Sequence, residues 1–199
     1  MKQMTFQEYR NVDLLLLSVV TLIFEVIATL ASNKWFYAQP IALSITLLMV
    51  CMTMMRWGRY AGSVAVVGGI AYCFISAASP EQYLIYCIGN LGALLALFYI
   101  KRLGKEPIRK NRWLIGILAM IAYIGMAFGR WLASLLFGGT LTTLVGFLTT
   151  DIISLLFAAV VLCLLSKQEG MLEDQKAYLL RLDRERQDEH DNEDNDIIL

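Results

Sequence analysis

The sequence predicts an all-α integral membrane protein, a six-helix transmembrane bundle over residues 1–166 followed by a charged cytoplasmic helix and tail over residues 167–199. Three observations carry the prediction. Of the 199 residues 58% are apolar and only 17% charged, whereas a soluble domain is about a quarter charged. The apolar residues gather into six runs near the length a helix needs to cross a bilayer, roughly 17 to 25 residues. Most charged residues fall before or between those runs or after Ser166.

The runs follow in order. The first, Asp13 to Ser32, is long, follows a polar leader and lacks a small-residue cleavage site, so it is expected to stay as a span and not to be removed as a signal peptide. Pro40 to Met55 is short. Tyr60 to Ala78 carries small residues four apart at Ala61, Ala65, Gly69, Cys73 and Ala77. Such a stripped face lets another backbone approach closely, whether of a partner or of this chain. Gln82 to Ile100 (Gly89, Gly92, Ala93, Ala96) and Trp113 to Phe137 (Gly125, Gly129, Ala133) have the look of internal packing. Leu141 to Ser166 closes the set, and the length of these last two runs predicts tilt or helix continuing into water.

Orientation follows from Lys and Arg, which mark cytoplasmic loops. The leader, second loop, fourth loop and tail hold 15 of the 17 bases. The opposite face has Lys34, and Arg130 lies inside a span. Both termini are therefore expected in the cytoplasm of a cell-membrane protein. Residues 168–187 are predicted to form an amphipathic helix, through Met171, Leu172, Gln175, Tyr178, Leu179 and Leu182, that continues the sixth span. Residues 188–196 are too acidic to fold alone, and His190 reads as surface.

Ionisable groups inside lipid cost a few kcal/mol each and mark functional sites. Here they are Glu25, Arg130 and Asp151. At 1.5 Å per residue they lie about 12, 12 and 15 Å below the outer ends of their spans, and Asn90 falls at a similar level. The four are expected to floor an outward-facing cavity, in which Arg130 meets an anionic ligand group and the others act as polar partners. A purely structural ion pair is the competing reading. Around the rim stand Asn33, Lys34, Trp35, Tyr37, Tyr83, Tyr86 and Trp131. Interfacial aromatics are ordinarily belt anchors, but Trp35, Tyr86 and Trp131 are also candidate ligand walls.

No motif of a hydrolase, zinc protease or nucleotide-binding loop is present, so neither enzyme activity nor a cofactor is expected. Cys51, Cys73, Cys87 and Cys163 lack metal-ligand spacing and read as small buried hydrophobes. No nucleic-acid partner is expected.

The stretch RWGRYAGSVAVVGGIAYCFIS (Arg56 to Ser76), with QPIALSITLL (Gln39 to Leu48) and YCIGNLGALLAL (Tyr86 to Leu97), resembles the substrate-binding (S) components of energy-coupling factor transporters. These are six-span micronutrient importers; the long charged tail departs from their pattern. The resemblance implies a vitamin-like substrate, a membrane scaffold subunit and two ATPase subunits that supply the energy. It also implies a scaffold contact through an AxxxA pattern, for which Ala61 and Ala65, then Ala28, Ser32 and Gly69, are the matching positions. The alternative function is a non-transporting membrane scaffold or assembly protein that recruits a partner through its tail.

Overall fold

The computed structural model describes residues 5–36, 41–168, 170–181 and 184, which are mostly helical and contain no strand. The elements are α1 (Phe6–Trp35), α2 (Thr46–Trp57), α3 (Ala61–Ile75), α4 (Pro80–Gly89), a 3-10 stretch (Asn90–Leu95), α5 (Ala96–Leu103), α6 (Lys105–Lys110), α7 (Arg112–Leu135), α8 (Leu141–Thr150) and α9 (Ile152–Leu165). By length and composition four stretches can cross a membrane: Phe6–Trp35, Thr46–Ile75, Pro80–Leu103 and Arg112–Leu135. A fifth is added if α8 and α9, bent by 44°, count as one.

The second of these stretches is not one rod. Thr46 and Gly68 are 22 residues apart, about 33 Å along a straight helix, yet a methyl placed on Gly68 would lie 2.1 Å from Thr46 Oγ1. The chain therefore folds back at Gly58, whose φ of 62° suits a residue without a side chain, and α2 lies against α3.

α1 begins with a capping box in which the Thr5 amide donates to Glu8 and the Glu8 amide to Thr5 Oγ1. Its buried stripe is Leu17, Thr21, Glu25, Ala28, Thr29 and Ser32, largely polar, while Leu15, Leu16, Val19, Leu22, Ile23, Ile27 and Leu30 face outward. A helix with its polar stripe inside and leucine outside is suited to lipid and unsuited to water. Its 30 residues span about 45 Å, against roughly 30 Å of hydrocarbon, so about ten residues of α1 extend beyond a membrane core.

α2 is the centre of the bundle, buried except at Met52 and Arg56, and it packs against α1, α3, α7 and α9. The segment 41–45 that leads into it is not helical. Non-helical backbone among apolar helices needs partners from the protein, and the neighbours supply them. Ser32 Oγ accepts from Leu43 N and donates to the Ile41 carbonyl. Ser154 Oγ accepts from Ser44 N and donates to Ala42 O. The Ala42 amide donates to Thr150 O.

The tail differs from the expected continuous helix. α9 ends at Leu165, the chain turns through Gly170 (φ 81°), and a new helical run occupies residues 175–181. Leu172 and Gln175 are buried under this turn. Arg56 Nη1 donates to the carbonyls of Gly170 and Met171, Lys105 pairs with Asp174 at 2.9 Å, and Arg109 pairs with Glu173 at 2.6 Å. The side chain of Leu182, the acidic run 188–196 and His190 lie outside the described residues.

Candidate functional site

Four glycines set the geometry of the buried polar cluster. A methyl on Gly129 would lie 2.3 Å from Gly89 O, one on Gly125 2.4 Å from Gly92 O, and one on Gly92 2.1 Å from Gly125 O. The 3-10 stretch and α7 thus meet backbone to backbone, the close approach that only small residues allow. Asn90 and Arg130, each directly after one of these glycines, are thereby brought face to face.

Arg130 is 3% exposed and Asn90 1%. Arg130 Nε donates to Asn90 Oδ1 at 2.8 Å, and Asn90 Nδ2 donates to Ala65 O at 3.2 Å. Arg130 Nη1 forms an ion pair with the Asp151 carboxylate. Nη2 faces the thioether of Met126 at 3.3 Å. The guanidinium lies 4.5 Å from the centre of the Tyr86 ring, which stacks on Tyr72 at 4.8 Å and meets Phe147 edge-on at 6.1 Å. A cation enclosed by a carboxylate, an amide oxygen and an aromatic face is compensated on three sides.

Asp151 sits where the last long helix breaks. Thr150 Oγ1 donates back to Gly146 O at 2.7 Å, and Thr149 Oγ1 to Val145 O at 3.0 Å. Side-chain hydroxyls on the previous turn bend helices. Two carbonyls are also drawn out of the ladder: Tyr123 Oη donates to Leu148 O, and Ala42 N donates to Thr150 O. The break leaves Asp151 at the junction, pointing at Arg130.

Glu25 does not join this cluster. It is fully enclosed, and its Oε2 accepts from Ile45 N at 2.8 Å, Thr46 N at 2.9 Å and Thr46 Oγ1 at 3.0 Å. A carboxylate there satisfies the first amides of α2 and faces the positive end of that helix. The expectation of one ring of four polar groups is corrected: three meet, and Glu25 caps the central helix.

Of the aromatics expected as walls, Tyr86 lies against Arg130. Trp131 instead donates from its indole to Thr140 O at 3.2 Å and rests on Phe128, fixing the turn after α7. Trp35, 72% exposed at the end of α1, is outside the cluster, as are the exposed Asn33 and Lys34, and Tyr37 is outside the described residues.

The small residues expected to meet a scaffold subunit lie inside the fold. Ala28, Ser32, Ala61, Ala65 and Gly69 are all buried within the chain. Ser32 holds the 41–43 backbone, Ala65 O accepts from Asn90, and a methyl on Gly69 would touch the Tyr86 backbone at 3.1 Å. These positions are spent on internal packing.

Sequence reasoning missed Met126, whose place one turn before Arg130 is its only sequence signal. It also missed a second cluster at the end of the bundle carrying most bases. There Arg56 forms a two-pronged pair with Asp13 at 2.8 to 3.0 Å, and the Trp57 indole donates to the same carboxylate. Nearby, Glu106 is held below the usual carboxylate range by hydrogen bonds from Lys110 and Arg109. Opposite charges at the facing ends of successive apolar runs were the available signal. No protein-family model matches the chain, and no curated protein or solved structure matches it.

Proposed function

We propose that this chain is the solute-binding membrane subunit of an uptake system of the energy-coupling factor type, taking an anionic micronutrient such as a vitamin at Arg130. One observation carries the reading: an arginine inside an apolar bundle, paired with the aspartate at the break between α8 and α9, with one nitrogen facing, among the described residues, a thioether. Interrupted helices within membranes are where transporters hold their solutes. The solute's carboxylate or phosphate takes Nη2 and competes with Asp151 for the guanidinium. Loosening that pair frees the joint between α8 and α9, so that binding is read out as a change of bend. Asn90 keeps Arg130 oriented throughout.

In this reading the chain crosses the cell membrane six times, as α1, the limb from 41 through α2, α3, α4 through α5, α7, and α8 with α9. The folding-back of α2 on α3 supports that count. The distribution of Lys and Arg supports cytoplasmic termini. ATP-hydrolysing subunits and a membrane scaffold supply the energy, the scaffold resting on outward apolar faces because the small-residue ladder is enclosed.

The test is native mass spectrometry of the purified protein for a retained small molecule, with Arg130→Ala and Arg130→Lys alongside. A retained anion lost in Arg130→Ala, together with co-purifying ATPases, supports the proposal. No retained molecule, and uptake indifferent to Arg130→Ala, overturns it.

A membrane scaffold that recruits a soluble partner is the second reading. It is favoured by the closed pairing of Arg130 with Asp151 and Asn90 within the chain. It predicts that deletion of residues 168–199 abolishes function while Arg130→Ala leaves it intact once the protein is folded.

A further inference from the structure

Where α1 begins and α2 ends, a cavity of about 260 Å³ opens between Arg10, Arg56, Lys105 and Lys176, with Trp57 and Tyr60 among its walls and Asp174 as the carboxylate in its described lining. Pockets for drug-sized ligands run from roughly 300 to 1,000 Å³, so this one has the size for a single headgroup or small ion.

The four bases are not equally committed. Arg56 is held by Asp13 and by two tail carbonyls, and Lys105 by Asp174 and the Arg56 carbonyl. Arg10 meets no carboxylate among the described residues. Its Nη1 donates to Tyr60 Oη at 2.9 Å, its Cζ lies 4.3 Å from the centre of the Tyr60 ring, and its Nε is enclosed without an acceptor among the described residues. Lys176 is exposed and in no described ion pair. Two cations thus lack a counter-charge among the described residues, and one of them is already held against an aromatic ring. A guanidinium so fixed presents its fork to an oxyanion at little further loss of freedom.

We infer that this cavity is a binding site for a phosphate ester, with Arg10 and Lys176 holding the phosphate and Arg56 and Lys105 supplying the surrounding positive field. The site lies at the end of apolar helices, so the phosphate belongs either to the headgroup of an anionic lipid or to a soluble ester. The inference does not depend on the role of Arg130.

The experiment uses the full-length protein in nanodiscs of equal parts phosphatidylglycerol and phosphatidylcholine, with retained lipid counted by native mass spectrometry, and titration with glycerol 3-phosphate as the soluble probe. Each base near an anionic surface contributes about fivefold in binding. Wild-type protein is expected to retain phosphatidylglycerol about tenfold over phosphatidylcholine, and the pair Arg10→Gln with Lys176→Gln to lose that preference. Arg10→Lys restores part of it. Lys176→Glu alone alters an exposed residue, keeps the fold, and should cut retention at least fivefold. Binding of glycerol 3-phosphate that is lost in the same variants, without lipid retention, supports the site and assigns the soluble source. Equal retention of both lipids with no binding of the ester overturns the inference. So does equal loss on neutralising Lys101 and Arg102, exposed bases outside the cavity, which would mark diffuse attraction.

Discussion

Asn90 Oδ1 accepts the Nε–H of Arg130 at 2.8 Å because the residue before each of them is a glycine, and the Gly89 carbonyl rests directly on Gly129. Site geometry and helix packing are therefore one feature. A side chain at the contact pushes the two backbones apart and pulls the hydrogen bond open.

Gly92→Ala and Gly129→Ala are expected to destabilise the protein by about 3 kcal/mol, the upper range for overpacking. Each new methyl meets rigid backbone at 2.1 to 2.3 Å. Gly116→Ala and Gly146→Ala meet nothing within 4 Å and gain about 0.5 to 1 kcal/mol from helix propensity. Thermal unfolding in detergent of the four variants checks the contrast. Equal midpoints would remove the close contact.

Asp151→Ala leaves the Arg130 charge enclosed without its counter-ion and is expected to cost about 3 to 5 kcal/mol. The double variant Arg130→Met with Asp151→Leu removes both charges and should recover most of that loss. A double variant as unstable as the single would show that the pair is not the source of the cost.

Glu25→Gln retains an oxygen for the amides of Ile45 and Thr46 and is expected to change stability by less than about 1 kcal/mol. Glu25→Ala abandons enclosed donors at about 1 to 3 kcal/mol. The unfolding midpoints order the three proteins. A Gln variant as damaged as the Ala variant would mean the negative charge itself is required.

Arg56→Gln removes the ties to Asp13, Gly170 and Met171 at once. Charge-assisted hydrogen bonds contribute about 1.5 to 3 kcal/mol, so undocking of residues 170–181 should become at least about tenfold more frequent. Limited trypsin digestion at Lys176, timed against wild type, measures it. An unchanged cleavage rate would show that Leu172, Gln175 and the pairs of Lys105 with Asp174 and Arg109 with Glu173 hold the tail without Arg56.

Much of this was legible in the sequence because lipid makes the pattern blunt. Polar residues inside long apolar runs had to face inward, and Asn90, Arg130 and Asp151 do so together. The glycines of α4, the 3-10 stretch and α7 were readable as internal packing for the same reason. Glu25 was assigned the wrong neighbours, since its partners are backbone amides exposed only because residues 41–45 are not helical. Periodicity carries no signal for that interruption: Ile41 to Ile45 read as the start of an apolar helix. The ladder Ala61, Ala65, Gly69 announced a close approach without saying to what. The tail was misread because a favourable helical spacing across 168–187 outweighed a single Gly170.

The lead-in to α2 has a consequence for how the protein is made. The amides of Ala42 and Ser44 are satisfied by Thr150 and Ser154, residues synthesised about a hundred positions later. Until the ribosome has released the last apolar run, those two amides have no partner within the nascent chain, so the hairpin at Gly58 waits, half seated, for the far end of its own polypeptide.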